Sequence, residues 1–244
     1  MPPAKSVLDA GEVHVWRAGM NAAHLCLDCC RELLSAVEKE RAARLKFDQD
    51  RHLYIIAHAA LRSILAGYLN IAPTALPFDT GTNGKPRLAP PFTQDRLEFN
   101  LSHSYEVVLI AVAHERAIGV DVERVREDFA FAEVAERFFT AGEVGALRAL
   151  PEKLQRRAFY QCWTGKEAFL KAKGVGLSGK LDEVEIFLND AGSVNIQGKL
   201  PDWTLVELHP TGGYVGALAL QGPNCRLRYY QWRPLASAAG HSHA

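Results

Sequence analysis

Five short stretches of this chain carry side chains whose types and spacing suit chemistry. In Gly119-Val120-Asp121-Val122-Glu123 an apolar alternation carries two carboxylates. On a β-strand, Ile118, Val120 and Val122 share one face, and Asp121 and Glu123 share the other. Neighbouring carboxylates repel unless a proton or cation sits between them. Hard oxygen ligands at this spacing suit Mg²⁺, and Gly119 lets a ligand approach the backbone. The same pattern also fits an exposed strand carrying two solvated acids. In Trp163-Thr164-Gly165-Lys166-Glu167-Ala168-Phe169-Leu170-Lys171, Glu167 and Lys171 stand four apart and share a helix face. A carboxylate there can complete a metal site while the ammonium meets a phosphate. The competing reading is a surface ion pair.

The remaining three stretches suit anions. Asn100-Leu101-Ser102-His103-Ser104 offers hydroxyls and an imidazole, or simply closes a strand. Thr80-Gly81-Thr82-Asn83-Gly84-Lys85-Pro86 is a glycine-bearing turn with one lysine, able to hold a phosphate on backbone N–H groups and an ammonium. It lacks the pattern of a nucleoside-triphosphate loop. Glu38-Lys39-Glu40-Arg41, with Arg44 behind it, forms an anion-binding edge or a solvated helix face.

These residues need elements to hold them. The spacing predicts one helical region from near Asn21 through Leu45, and a second helix from Gln49 to Leu69 capped by Asp48. Residues 71–97 are crowded with Gly and Pro, which argues for a long irregular loop. LEFNLS, VVLIAVA and IGVDVE then read as consecutive hairpin strands, the second turn lying at HERA. A helix at AEVAERFF follows, and Thr140 with Glu143 forms a capping box for another. A long helix starts at Pro151 and stops at Gly174. VEIFL, WTLVELH, YVGALAL and RLRYYQW read as strands. ERAARLKF before the first long helix resembles AERFF before the second, which suggests two α+β halves with a cleft between them.

Composition bounds the rest. The 244 residues are 48% hydrophobic and 23% charged, enough for a substantial core. Basic and acidic side chains number 28 each, so no global field favours nucleic acid. No stretch has the length of a membrane span or the core of a signal peptide, which argues for a cytoplasmic protein. Cys26, Cys29 and Cys30 cluster, but a zinc site needs a second ligand pair, so reduced structural thiols are expected. The tail with His241 and His243 receives no role.

Taken in order, GVDVE, WTGKEAFLK, the GKP turn, the FNLSHS segment and EKER resemble the motifs of 4′-phosphopantetheinyl transferases of the large, monomeric Sfp type. The resemblance spans residues 38–180. It implies two pseudo-symmetric halves, each a small antiparallel sheet packed with a long helix, with coenzyme A in the cleft. Residues 1–117 would form the adenine and 3′-phosphate side. Residues 118–244 would carry the catalytic carboxylates and the carrier docking surface. Asp121, Glu123 and Glu167 match the family's Mg²⁺ ligands, and Lys171 matches its phosphate-contacting lysine. Arg41, Arg44, Thr80, Gly84, Lys85, Pro86, Ser102 and His103, with Asp121 and Lys171, match positions that hold coenzyme A. Asp121, Glu167 and Lys171 would be catalytic, with Glu167 as general base. The partner would be an apo acyl or peptidyl carrier protein docking near residues 172–181 through Lys173, Leu177 and Lys180. An Mg²⁺-dependent phosphohydrolase and a non-catalytic coenzyme A or carrier-binding module are the alternatives.

Overall fold

Two helices of 22 residues each, α3 (Asp48–Leu69) and α6 (Glu152–Lys173), set the frame. The computed structural model describes residues 7–9, 11–20, 25–80, 84–175, 185–186 and 202–234. On α3, Leu53, Ile56, Ala60, Leu61, Ile64 and Leu65 recur at helical spacing and are all buried. Asp48 is the first helical residue rather than the cap, and Phe47 holds the cap position without a side-chain bond. Pro151 likewise stands one residue before α6, and Gly174 ends it in the left-handed conformation at φ 68°.

The single helix expected before α3 is two helices, α1 (Leu27–Glu32) and α2 (Ala36–Arg44). The break comes from Ser35. Its hydroxyl accepts from Glu38 N, while Glu38 Oε2 accepts from Ser35 N at 2.8 Å, so a new helix starts there. The same carboxylate receives buried Arg62 Nε at 2.6 Å. Glu38 of the EKER stretch therefore anchors α2 on α3. Cys26 and Cys29 form a disulfide, which corrects the expectation of reduced thiols there, while Cys30 is a free buried thiol.

Residues 71–97 are not one irregular loop. They hold a short hairpin of β2 (Phe78–Thr80) and β3 (Pro86–Leu88), flanked by 3₁₀ turns. The prolines stand at the ends of these pieces, where no ladder N–H is needed.

The first main sheet contains β1 (Glu12–Gly19), β4 (Leu97–Ser104), β5 (Val107–His114) and β9 (Arg226–Gln231), in the order β4-β5-β1-β9. The β1–β9 pair is parallel and the others are antiparallel. The sequence reading had no strand at β1. The second sheet has β6 (Ile118–Arg124), β7 (Trp203–Leu208) and β8 (Tyr214–Gln221), antiparallel in the order β6-β8-β7. The expected hairpin between VVLIAVA and IGVDVE does not form. Both edges of β5 are taken by β4 and β1, so β6 turns away at Glu115 and pairs with β8. Of VEIFL only Glu185 and Ile186 are described, and neither lies in a strand.

Three apolar layers hold the α+β architecture. One lies between α3 and the first sheet, around Ile56, Leu65, Phe99 and Ile110. One lies between the sheets, with Val15, Leu109 and Ala111 meeting Ile118, Val120 and Leu218. The third lies under α6, where Phe131 of α4 (Phe131–Phe138) and Phe139 at its C-cap pack on Phe159, and α5 (Ala141–Ala149) adds Leu147. Each sheet thus packs with one 22-residue helix, and β9 returns the end of the chain to the sheet that holds β1, β4 and β5.

Candidate active site

The halves meet where β4 runs beside β6, and the two strands touch through side chains. Asn100 Oδ1 accepts from Val120 N at 2.9 Å. Ser102 Oγ donates to Asp121 Oδ1 at 2.8 Å, and Ser104 Oγ to Glu123 Oε2 at 2.9 Å. The period of two in Asn100, Ser102 and Ser104 follows from the strand, which sends alternate side chains to one face. His103, between them, turns to the side where α3 lies and senses Asp50 there.

Helix α6 closes the site from the other half. Gly119 has no side chain, and α6 uses that space. A Cβ at 119 would overlap the Ala168 carbonyl oxygen and the Ala172 amide nitrogen, and would sit 3.0 Å from Ala172 Cα. The glycine thus admits a helix and not a ligand, which corrects the sequence reading. The close approach brings Glu167 and Lys171 against β6. Lys171 Nζ donates to Asp121 Oδ1 at 2.6 Å and to Ser102 Oγ at 3.0 Å. The alternative of a surface Glu167–Lys171 pair fails, because Glu167 is 8% exposed and Lys171 bonds across to Asp121. The alternative of two solvated acids fails as well: Asp121 is 3% exposed.

Burial gives these carboxylates unusual properties. Glu123 is pushed up to about 7 by burial and then by the Asp121 charge, against the opposing pull of Ser104 and Lys171. Glu167 is raised by burial and by Asp121. Asp121 Oδ2 and Glu167 Oε1 are buried without a hydrogen-bond partner. Two orphaned carboxylate oxygens in one site are costly unless a cation or a donor meets them. Among the described residues, no group of three or more His, Cys, Asp or Glu side chains is itself arranged to hold a metal ion.

The expected coenzyme A residues scatter more widely. Lys85 Nζ donates to Ile118 O at 2.8 Å and Ala172 O at 3.5 Å, so its ammonium bridges the start of β6 and the end of α6. Burial lowers its pKa. Thr80 faces Pro86 across the small hairpin, with Gly84 before it at φ 79°. Arg44 pairs with Glu40 at 2.5 Å on the exposed side of α2. Arg41 stands over the Tyr54 ring at 5.8 Å. Leu177 and Lys180, expected at the carrier surface, lie outside the described residues. Lys173 stands over the Phe169 ring at 5.3 Å.

Three residues near the site were not assigned from sequence. Ser104 was legible through its two-residue spacing from Ser102. Tyr54 and His58 stack at 3.8 Å on α3, one helical turn apart. His58 Nδ1 lies 2.9 Å from Tyr54 O, and its tautomer follows from that bond. Burial lowers the pKa of His58, as do the neighbouring His103 and Arg41. His103 is itself lowered, by the crowding of the cleft around its open ring and by Lys171. Arg41, Tyr54 and His58 are thus neighbours, and the charges of Arg41 and His103 both act on His58. Lys166 of the WTGKEAFLK segment points elsewhere and pairs with buried Glu143 at 2.8 Å.

Known proteins resemble this chain in the same two parts. The family model described as "4'-phosphopantetheinyl transferase, N-terminal" matches residues 16–115, and that of the "4'-phosphopantetheinyl transferase superfamily" matches residues 117–219. The 4′-phosphopantetheinyl transferase HetI of Nostoc sp. is 38% identical over 96% of this chain and 94% of its own length. The 4′-phosphopantetheinyl transferase Sfp of Bacillus subtilis is 32% identical over 69% of this chain and 72% of its own. The human L-aminoadipate-semialdehyde dehydrogenase-phosphopantetheinyl transferase is 27% identical over 77% of this chain and 67% of its own. With near full-length similarity to HetI added to a site in which both halves supply groups, the chain belongs to the 4′-phosphopantetheinyl transferase superfamily.

Proposed function

We propose that this protein transfers the 4′-phosphopantetheine arm of coenzyme A to a serine of an apo acyl or peptidyl carrier protein. The observation that carries the reading is the seam between the halves, where Lys171, Ser102 and Asp121 are bonded together beside the orphaned oxygens of Asp121 and Glu167.

The donor set offers only carboxylate and hydroxyl oxygens, which suits a hard divalent cation such as Mg²⁺. Asp121, Glu123 and Glu167 would hold it, and the unpartnered buried oxygens support this assignment. When bound, Mg²⁺ would neutralise pyrophosphate charge. Lys171 faces the same anion and stabilises charge developing on it. His103 and Arg41 take the 3′-phosphate and adenine end, with Lys85 near the end of α6. The serine oxygen of the carrier attacks the phosphorus bearing the pantetheine arm. A new oxygen–phosphorus bond forms, the anhydride bond breaks, and adenosine 3′,5′-bisphosphate leaves. The serine proton passes to Glu167, whose buried Oε1 has no other hydrogen-bond partner among the described residues. No covalent enzyme intermediate is needed. The reading places the protein in the cytoplasm as a monomer, with carrier docking near residues 172–181.

Intact-mass measurement tests this after incubation with coenzyme A, Mg²⁺ and a panel of fatty acid, polyketide and nonribosomal peptide apo carriers. Transfer adds one phosphopantetheine mass to a carrier. Coenzyme A consumed with an unmodified carrier identifies a phosphohydrolase. Neither change identifies a binding module and overturns the proposal.

A further inference from the structure

The hydroxyls of Ser102 and Ser104 have one proton each, and their surroundings decide where it goes. Ser104 Oγ lies 3.1 Å from Arg124 N and 2.9 Å from Glu123 Oε2. A backbone N–H only donates, so the hydroxyl accepts from Arg124 and spends its proton on Glu123. Ser102 repeats the logic. An ammonium also only donates, so Lys171 at 3.0 Å leaves the Ser102 proton for Asp121. Neither hydroxyl is a free rotor. Each is locked as a donor to a carboxylate that belongs to the other half.

We infer that Ser104 is a positioning residue: by donating to Glu123 Oε2 from the opposite half, it holds the Glu123 carboxylate in place and so tunes the site's affinity for a divalent cation. This rests on the proposed role of Glu123 as a metal ligand. Ser104 would touch neither cation nor substrate. Its action follows from geometry. Glu123 has three side-chain torsions, and its carboxylate shares a strand face with that of Asp121, which repels it. A single donated bond from a buried, 8% exposed hydroxyl restrains those torsions and offsets that repulsion. Partners that hydrogen-bond to metal-ligating carboxylates commonly change metal affinity by about 10–100-fold when removed. Asn100 lies on the same strand face, and its side chain, among the described residues, accepts from the backbone of β6 at Val120 and meets no carboxylate, so it separates a loosened seam from a misplaced carboxylate.

The experiment is Mn²⁺ titration of the purified full-length protein, with free Mn²⁺ read by its electron paramagnetic resonance signal. The variants are Ser104→Ala, Ser104→Thr, Asn100→Ser and Glu123→Ala. Ser104→Ala should bind Mn²⁺ roughly tenfold more weakly or worse, while Ser104→Thr, which keeps the hydroxyl, and Asn100→Ser should bind as the wild type does. In transfer assays Ser104→Ala should raise the Mg²⁺ half-saturation and keep most of kcat at saturating Mg²⁺. Wild-type Mn²⁺ affinity in folded Ser104→Ala, alongside a loss in Glu123→Ala, overturns this inference and leaves the metal reading standing. An equal loss in Asn100→Ser also overturns it, in favour of general loosening of the seam. If the wild type binds no Mn²⁺, the metal reading falls and this inference falls with it.

Discussion

Replacing Gly119 by alanine adds one methyl group at the point where β6 and α6 touch. The new Cβ would overlap the Ala168 carbonyl oxygen and Ala172 amide nitrogen and lie 3.0 Å from Ala172 Cα. Non-bonded carbons prefer separations of about 3.5–4.0 Å. All three obstructing atoms are helix backbone, so no side chain can swing aside. The helix must retreat by on the order of 1 Å, or β6 must bend. Overpacking of this kind costs about 1–3 kcal/mol and sometimes more. The functional loss should be larger than the stability loss suggests, because α6 carries Glu167 and Lys171. A retreat of that size stretches the 2.6 Å bond from Lys171 to Asp121 beyond hydrogen-bonding range. Misplacing reacting groups by about 1 Å can cost roughly 100-fold in rate. Urea unfolding and steady-state transfer kinetics on the same Gly119→Ala preparation measure both effects. A folded variant with an unchanged unfolding midpoint and near wild-type kcat would refute the argument that contact between α6 and β6 at Gly119 sets the site.

Three further outcomes follow from single features. Glu123 titrates near 7 in the folded chain against 4.5 ordinarily, so the native state keeps a proton that the unfolded state releases; its contribution to stability should fall as pH rises from about 4.5 to about 7, by on the order of 3 kcal/mol at most. Urea midpoints across that range in the presence of a chelator should therefore fall less steeply for Glu123→Gln, and parallel curves count against the raised pKa. Lys166→Met strands the Glu143 carboxylate, 2% exposed, and should destabilise the fold by about 3–5 kcal/mol, whereas Lys166→Met with Glu143→Gln should recover part of that loss. Thermal melts of the single and double variants settle this, and equal melting temperatures would argue against it. If His103 holds the 3′-phosphate, wild type should prefer coenzyme A over dephospho-coenzyme A by about tenfold or more, and His103→Ala should lose that preference; unchanged discrimination removes His103 from the role.

Much of this protein was legible from local pattern. The helical spacing of α3, the extent of α6 from Pro151 to Gly174, the Thr140–Glu143 capping box and the strands 97–104, 107–114 and 118–124 depend on contacts within a few residues, so the one-dimensional order carries them. The shared face of Asp121 and Glu123 follows from the two-residue period of a strand. Partner choice could not be read that way. Whether β6 joins β5 or β8 depends on both edges of β5 being occupied, one of them by β1 from the chain's beginning. The break between α1 and α2 looked continuous, since a capping box inside a polar helical stretch is masked by helix formers on both sides. Gly119 reads as space for a ligand, and only the packing of α6 shows that a helix takes that space. Lys171 looked paired with Glu167, four residues away, yet its ammonium reaches Asp121, 50 residues earlier in the chain. The sequence by itself determined which residue types could handle an oxygen-rich anion and a divalent cation. The tertiary structure decided which of them meet, because burial at the seam joins β4, β6 and α6 through bonds that no local spacing encodes.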